Sequence, residues 1–318
     1  MTIDDLKLLT PVELDLISTQ IYKLIKDKIT DQTSNYDNYT VKPKCCPHCG
    51  SILFVKNGFN KKHRQKFKCK DCKKIFSYTT GTLFFHSISN YNLWKNFIAC
   101  EINGLTLEQE RIQIGRCKTT CFNMRHKLYN AIKDIVFGTK LTGLTEIDAS
   151  YTKINLKGTK KEKMPRFSKK RGNKSAYRGI SHHKICLISA VDEYDNIIYR
   201  ISGLGSESKD KYSRFKDCFS SNCTLVSDSK PCIKNFAKDN QLSIEQIPVK
   251  PINKRYTTNS GKTISTINQI HSELSILITK KHGISTRHLQ DYLNWLVFCK
   301  YLKYKVKPES RFSDTYIK

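Results

Sequence analysis

The chain is 318 residues long, 38% apolar and 26% charged, enough apolar material for two or three domains, which excludes a disordered polyelectrolyte. Lys and Arg outnumber Asp and Glu 56 to 28, and a formal charge of +28 favours a polyanionic partner. Nucleic acid comes first and a membrane surface second, because no long basic amphipathic helix is present.

The MTIDDLKLL start carries acids where a secretory signal needs positive charge, and no run approaches the ~20 apolar residues of a membrane span. A reducing intracellular compartment is therefore expected, cytoplasmic or nucleoid-associated in a bacterium. There, thirteen cysteines read as metal ligands and buried thiols rather than disulfides.

Thr10, Pro11 and Glu13 make a capping box with proline at the first helical position. Leu14, Ile17, Ile21, Leu24 and Ile25 recur behind it at helical spacing, so residues 1–43 are expected to be a helix and a polar linker, the linker from residue 31. Cys46-Pro-His-Cys49 and Cys69-Lys-Asp-Cys72 follow, with 19 residues between the pairs. Each turn offers two thiolates to one ion, and the four complete a closed tetrahedral shell for a single structural zinc. Between them SILFVKNGFNKKHRQKFK reads as short strands about an Asn57-Gly58 turn, so residues 44–80 are expected to form a zinc ribbon. Its tip and returning strand are basic, and Lys62 and Arg64 suit contact with phosphates.

Residues 81–140 read as helical. Trp94, Phe97 and Ile98 mark one helix, closed by Asn103-Gly104. LTLEQERIQIG and RCKTTCFNMRHKLYNAI then give a short helix, a turn at Gly115 and a longer helix with Phe122, Leu128 and Ile132 inward. Two helices across a glycine turn fit a helix-turn-helix, with Lys118, Thr119 and Arg125 of the second helix turned to DNA.

From Gly143 the period becomes strand-like. LTEIDASY carries Asp148, with Glu146 on the same face and Ile147, Ala149 and Tyr151 on the other. A basic insertion, Lys157 to Lys184, holds eleven Lys or Arg against Glu162, and Lys169, Lys170 and Arg171 at its centre suit a DNA backbone. KICLISAVDEYDNIIYRISG is a hairpin turning at Asp192 to Asn196. A helix from about Ser208 to Phe219, the buried strand CTLVSDS ending at Asp228, a helix from Pro231 to Asp239 and the strand IEQIPVK follow.

That order predicts an α/β, RNase H-like core over residues 141–305, a mixed sheet flanked by helices whose first and fourth strands bring Asp148 and Asp228 together. Residues 306–318 form a tail.

On a helix from about Thr263 to Lys281, Ile267, Ile270, Leu274, Leu277 and Ile278 face the core. His271 and Glu273 fall on opposite edges of that stripe, with Asn268 one turn before His271 on its edge. The third ligand is therefore His271 with Asn268 as helper, or Glu273, according to which edge meets the acids. Two strand-end carboxylates and such a ligand suit a divalent metal pair that cuts and joins phosphodiesters.

EIDASY, SDSKPCIKNFAK and INQIHSEL followed by GISTRHLQDYLNWLVF resemble the DDE-type transposases of small bacterial insertion sequences related to the Merlin elements. The resemblance runs from about Cys46 to Phe298. It implies a zinc ribbon, a helix-turn-helix and a DDE-type catalytic core. It also implies binding to double-stranded DNA at the element's terminal inverted repeats and at a target, as a homodimer or larger homo-oligomer. Some members carry His or Asn in place of the last Glu, which by spacing implies His271. Two magnesium or manganese ions held by Asp148, Asp228 and His271 would serve first nicking, then strand transfer.

Departures are Ala149, where an acid often follows the first Asp, and Ser275 and Ile278, where a Lys is usual. A catalytically inactive, domesticated DNA-binding regulator descended from a transposase is the rival reading. On the His271 assignment, replacing Glu273 should be mild.

Overall fold

The computed structural model describes residues 43–60, 65–77, 80, 91–160, 162, 179–249 and 256–306. They fall into two compact units, one ending at Ala131 and one beginning at Ile132. The N-terminal helix, Lys62, Arg64, Lys169, Lys170, Arg171 and the tail from residue 307 lie outside the described residues. No helix among those described is long and apolar enough to cross a membrane.

In the first unit, β1 (Phe54–Phe59), β2 (Gln65–Cys69) and β3 (Ile75–Ser77) form an antiparallel sheet in that order. Phe54, Phe67 and Phe76 meet at centroid distances of 5.4 to 5.7 Å and supply its small core beside Cys46 and Cys69. The Asn57-Gly58 pair is not the turn. It lies inside β1 at a register irregularity between Lys56 and Phe59, with Gly58 at φ +64° and its carbonyl accepting from the Gln65 amide at 2.9 Å. A left-handed glycine serves a bulge as well as a turn, and the local sequence does not separate the two.

Three helices follow: α1 (Tyr91–Ile102), α2 (Leu107–Ile114) and α3 (Lys118–Ala131). α2 opens on a capping box between Thr106 and Gln109 and closes on Gly115 at φ 66°. The three pack together through Trp94, Phe97 and Ile98 of α1 and Cys121, Met124, Leu128 and Tyr129 of α3.

Arg125 requires a correction. It does not reach outward to DNA: it is 2% exposed, its guanidinium bonded to Glu101 and Glu110, with Tyr129 also donating to Glu101 at 2.9 Å. Buried carboxylates of α1 and α2 need a buried cation, and α3 supplies it. Lys118 and Thr119 are exposed, Lys118 paired with Glu108 at 2.6 Å.

The second unit is built on a five-stranded mixed sheet. Its strands are β4 (Leu144–Lys153), β5 (Lys184–Asp192), β6 (Ile197–Leu204), β7 (Thr224–Asp228) and β8 (Ser243–Ile247), in the order β6-β5-β4-β7-β8. The first three run as an antiparallel meander, and β7 and β8 join parallel to β4. This is the RNase H-like arrangement the element order predicts.

Around the sheet stand α4 (Lys133–Phe137), α5 (Lys209–Ser213), α6 (Pro231–Asp239), α7 (Ser265–Lys280) and α8 (Leu289–Val306). Ile147, Ile188, Ala190, Ile198 and Leu225 share one sheet face and pack against Tyr212 of α5 and Ile233 and Phe236 of α6. The other face, reached by Glu146, Asp148 and Ser189, meets α7, while α8 packs on β6. The Asp192 carboxylate accepts from the Tyr194 and Asn196 amides and so closes the β5–β6 turn at the expected place.

Candidate functional site

The four ribbon cysteines gather their sulfurs within 4.8 Å of one another. Cys46 Sγ and Cys72 Sγ are 3.6 Å apart, as are those of Cys49 and Cys69. A tetrahedral zinc with sulfur at about 2.3 Å spaces its ligands roughly 3.8 Å apart, so the set fits the ion. Protons are shared unequally among the thiols. Burial would raise Cys69, but the amides of Cys72 and Asp71 outweigh it and bring the thiol down to about 6. The Ser51 amide works to lower Cys49, yet desolvation and the neighbouring thiols push it up to about 12. Purified protein should carry about one equivalent of zinc, and chelation should unfold the ribbon; less than half an equivalent alongside a folded ribbon would reject the assignment.

In the second unit the parallel register pairs Glu146 with Val226, and carried on by two residues it sets Asp228 beside Asp148. Asp148 is buried, whereas the Asp228 side chain is 45% exposed. Burial, and then the Asp148 charge, raise the Asp228 carboxyl above its ordinary range.

Helix α7 is indexed onto β4 by Glu146. Its carboxylate accepts from the Thr266 hydroxyl at 2.8 Å and the Ile267 amide at 2.9 Å, capping a helix whose own Ile264 cap contributes no side-chain bond. From Ile267 to His271 the helix rises about 6 Å, close to the roughly 6.6 Å that β4 advances from Glu146 to Asp148. His271 thereby arrives at Asp148, with Nδ1 3.9 Å from Oδ2.

The imidazole is oriented by Ser189 of β5. The Ser189 hydroxyl donates to the Asp148 carbonyl at 3.1 Å and lies 2.6 Å from His271 Nε2. With that hydrogen on the Asp148 carbonyl the hydroxyl would accept from Nε2–H, the tautomer that leaves Nδ1 free to ligate. Burial lowers the His271 pKa against the pull of Asp148, and the neutral ring is the form that ligates. His271 Nδ1 and the Asp148 carboxylate oxygen 3.9 Å from it are two donors that a divalent ion could draw together. Two carboxylates and an imidazole suit magnesium or manganese.

The other candidates are elsewhere. Glu273 is 4% exposed and bonded to Lys300 of α8 at 2.6 Å, away from the acids. Asn268 is exposed, and no side-chain bond ties it to His271. Asp148, Asp228 and His271 are not drawn together as tightly as the ribbon cysteines.

Two residues that sequence reasoning missed stand among them. Lys230 Nζ lies 2.9 Å from Asp148 Oδ1, 3.0 Å from Glu207 Oε1 and 3.9 Å from Asp228 Oδ2. The available signal was Lys230's place two residues beyond Asp228; nothing local marks Glu207.

No family model matches the chain. Over 135 residues it is 27% identical to an uncharacterized protein in transposable element ISH50 of Halobacterium salinarum. That stretch is 42% of this chain and 44% of the relative, so the chain spans less than half the length of the curated relative it matches. Among solved structures, a chain of the pre-cleavage Mos1 transpososome aligns over 73% of this chain and 82% of its own, at a TM-score of 0.25 and 11% identity.

Proposed function

We propose that the chain is a DDE-type transposase, which binds the ends of a mobile element and catalyses metal-dependent DNA cleavage and strand transfer. The observation that carries the reading is the placing of Asp148, Asp228 and His271 on one sheet face, with His271 Nδ1 3.9 Å from the Asp148 carboxylate. Similarity to a protein of a transposable element supports it.

Asp148, Asp228 and His271 would hold two divalent ions. When bound, these activate water or a 3′-hydroxyl and stabilise the leaving oxygen in an in-line displacement. The protein's own part is orientation: Glu146 sets the phase of α7, Ser189 orients the ring of His271, and the sheet register holds the two acids side by side. A neutral imidazole in place of a third carboxylate lowers the negative charge of the site and favours manganese over magnesium.

Zinc holds the ribbon of residues 44–80, which with the helix-turn-helix of 81–140 grips terminal and target DNA for the core of 141–305. Lys118 and Thr119 read DNA, while Lys62, Arg64, Lys169, Lys170 and Arg171 contact phosphates. The +28 charge makes binding fall steeply with salt. Assembly on two DNA ends calls for a homodimer or larger oligomer.

The test first asks whether short inverted repeats flank the reading frame, and then uses them as the DNA ends. Asp148→Asn and Asp228→Asn should each cut joining of a pre-nicked end by about 10²–10³-fold or more, leaving a gel shift intact. Wild-type binding without any cleavage or joining in magnesium or manganese would support the regulator instead.

A further inference from the structure

Lys230 touches the candidate acids, and its surroundings are built rather than incidental. Its backbone is pinned at the start of α6: its amide donates to the Asp228 carbonyl at 2.7 Å, and its carbonyl accepts from the Gln246 side chain at 3.2 Å. The ammonium therefore projects to a fixed place, 2.9 Å from Asp148 and 3.0 Å from Glu207.

Glu207 is held in turn. Tyr151 donates its hydroxyl to Oε1 at 3.1 Å and accepts from the Glu207 amide at 3.1 Å, while the Tyr212 hydroxyl donates to Oε2. With two phenols and an ammonium on three of its roughly four acceptor sites, Glu207 is a dock for the lysine more than a ligand awaiting a metal. Asp148 differs: one carboxylate oxygen takes the ammonium and the other lies 3.9 Å from His271 Nδ1.

We propose that Lys230 is a placeholder for the catalytic ion: its ammonium neutralises Asp148 in the metal-free protein, gives Asp148 up when a divalent ion binds, and stays at the rim on Glu207. This rests on the metal-dependent reading of the same site. Burial alone would lower its pKa, but Asp148 and Glu207 outweigh burial and hold it above the ordinary lysine value. About a third exposed, it can meet an incoming phosphate once released from Asp148.

The placeholder keeps two neighbouring acids from repelling each other before metal arrives, at the cost of competing with the metal. Removing it should weaken the apoprotein and tighten metal binding together, whereas a merely structural ion pair would do only the first.

The experiment titrates the zinc-loaded full chain and its Lys230→Met variant with Mn2+, following the free-ion electron paramagnetic resonance signal, and melts both in EDTA and in saturating Mn2+. Lys230→Met should bind Mn2+ at least about tenfold more tightly, since a unit charge within 4 Å of the acids is removed. It should also melt below wild type in EDTA, with the gap narrowing in Mn2+. Lys230→Gln serves if the Met variant does not fold. Wild-type binding with equal or weaker affinity in the variants, and a melting gap that Mn2+ leaves unchanged, would overturn the placeholder while leaving the metal site standing. No Mn2+ binding by any of them would overturn both.

Discussion

Arg125→Ala should unfold the three-helix part of the N-terminal unit rather than trim its affinity for DNA. The substitution takes the guanidinium away from Glu101 and Glu110, two carboxylates essentially without solvent. Breaking a buried pair from one side costs about 3–5 kcal/mol, a large part of the stability of a small helical unit. Urea unfolding followed by helical circular dichroism reads it directly. Lys118→Ala is the contrast: that exposed side chain should leave stability unchanged and weaken DNA binding, lowering the salt slope by about one. A stable Arg125→Ala protein with selectively weakened DNA binding would mean that the guanidinium leaves its carboxylates to meet DNA.

The second large effect separates the two candidate third ligands. His271→Ala should reduce joining of a pre-nicked DNA end by about 10²–10³-fold in either metal, with the gel shift intact. His271→Glu should retain or improve the use of magnesium, a harder ion. Glu273→Ala, expected from its helix edge to be mild, should instead destabilise the second unit by about 3–5 kcal/mol, because it leaves the Lys300 ammonium buried and unpaired. Its protein should be lost to unfolding, and Glu273→Ala with Lys300→Met should restore folding and activity together. An active His271→Ala protein beside a folded but inactive Glu273→Ala protein would put the wrong edge of α7 in the site.

Much of the second unit was legible because periodicity and burial agree there. The apolar run before Asp228 is a buried parallel strand, and Ile267, Ile270, Leu274 and Leu277 are the buried stripe of α7. The acids could be paired because strand order alone sets β4 beside β7. What stayed hidden depends on partners distant in the chain. Arg125 looks like any basic residue of a recognition helix until Glu101 and Glu110 close on it from two other helices. Lys230 and Glu207 belong to the site only through a register that no local window contains. Asn57-Gly58 was misread for the opposite reason, since a strong local signal had two structural outcomes and cross-strand pairing chose the bulge.

The Glu146 clamp on α7 bears on how such a site survives drift. A carboxylate on β4 ties down the first turn of the helix, beyond the connection that leads into it from β8. That connection can lengthen or shorten between descendants without moving His271, because added residues accumulate upstream of the anchor. The four-residue interval from Ile267 to His271 has no such freedom: one residue more or less swings the imidazole by about 100° off the acids. Length variation should therefore gather before the helix, and the spacing inside it should stay constant, whatever becomes of the loop.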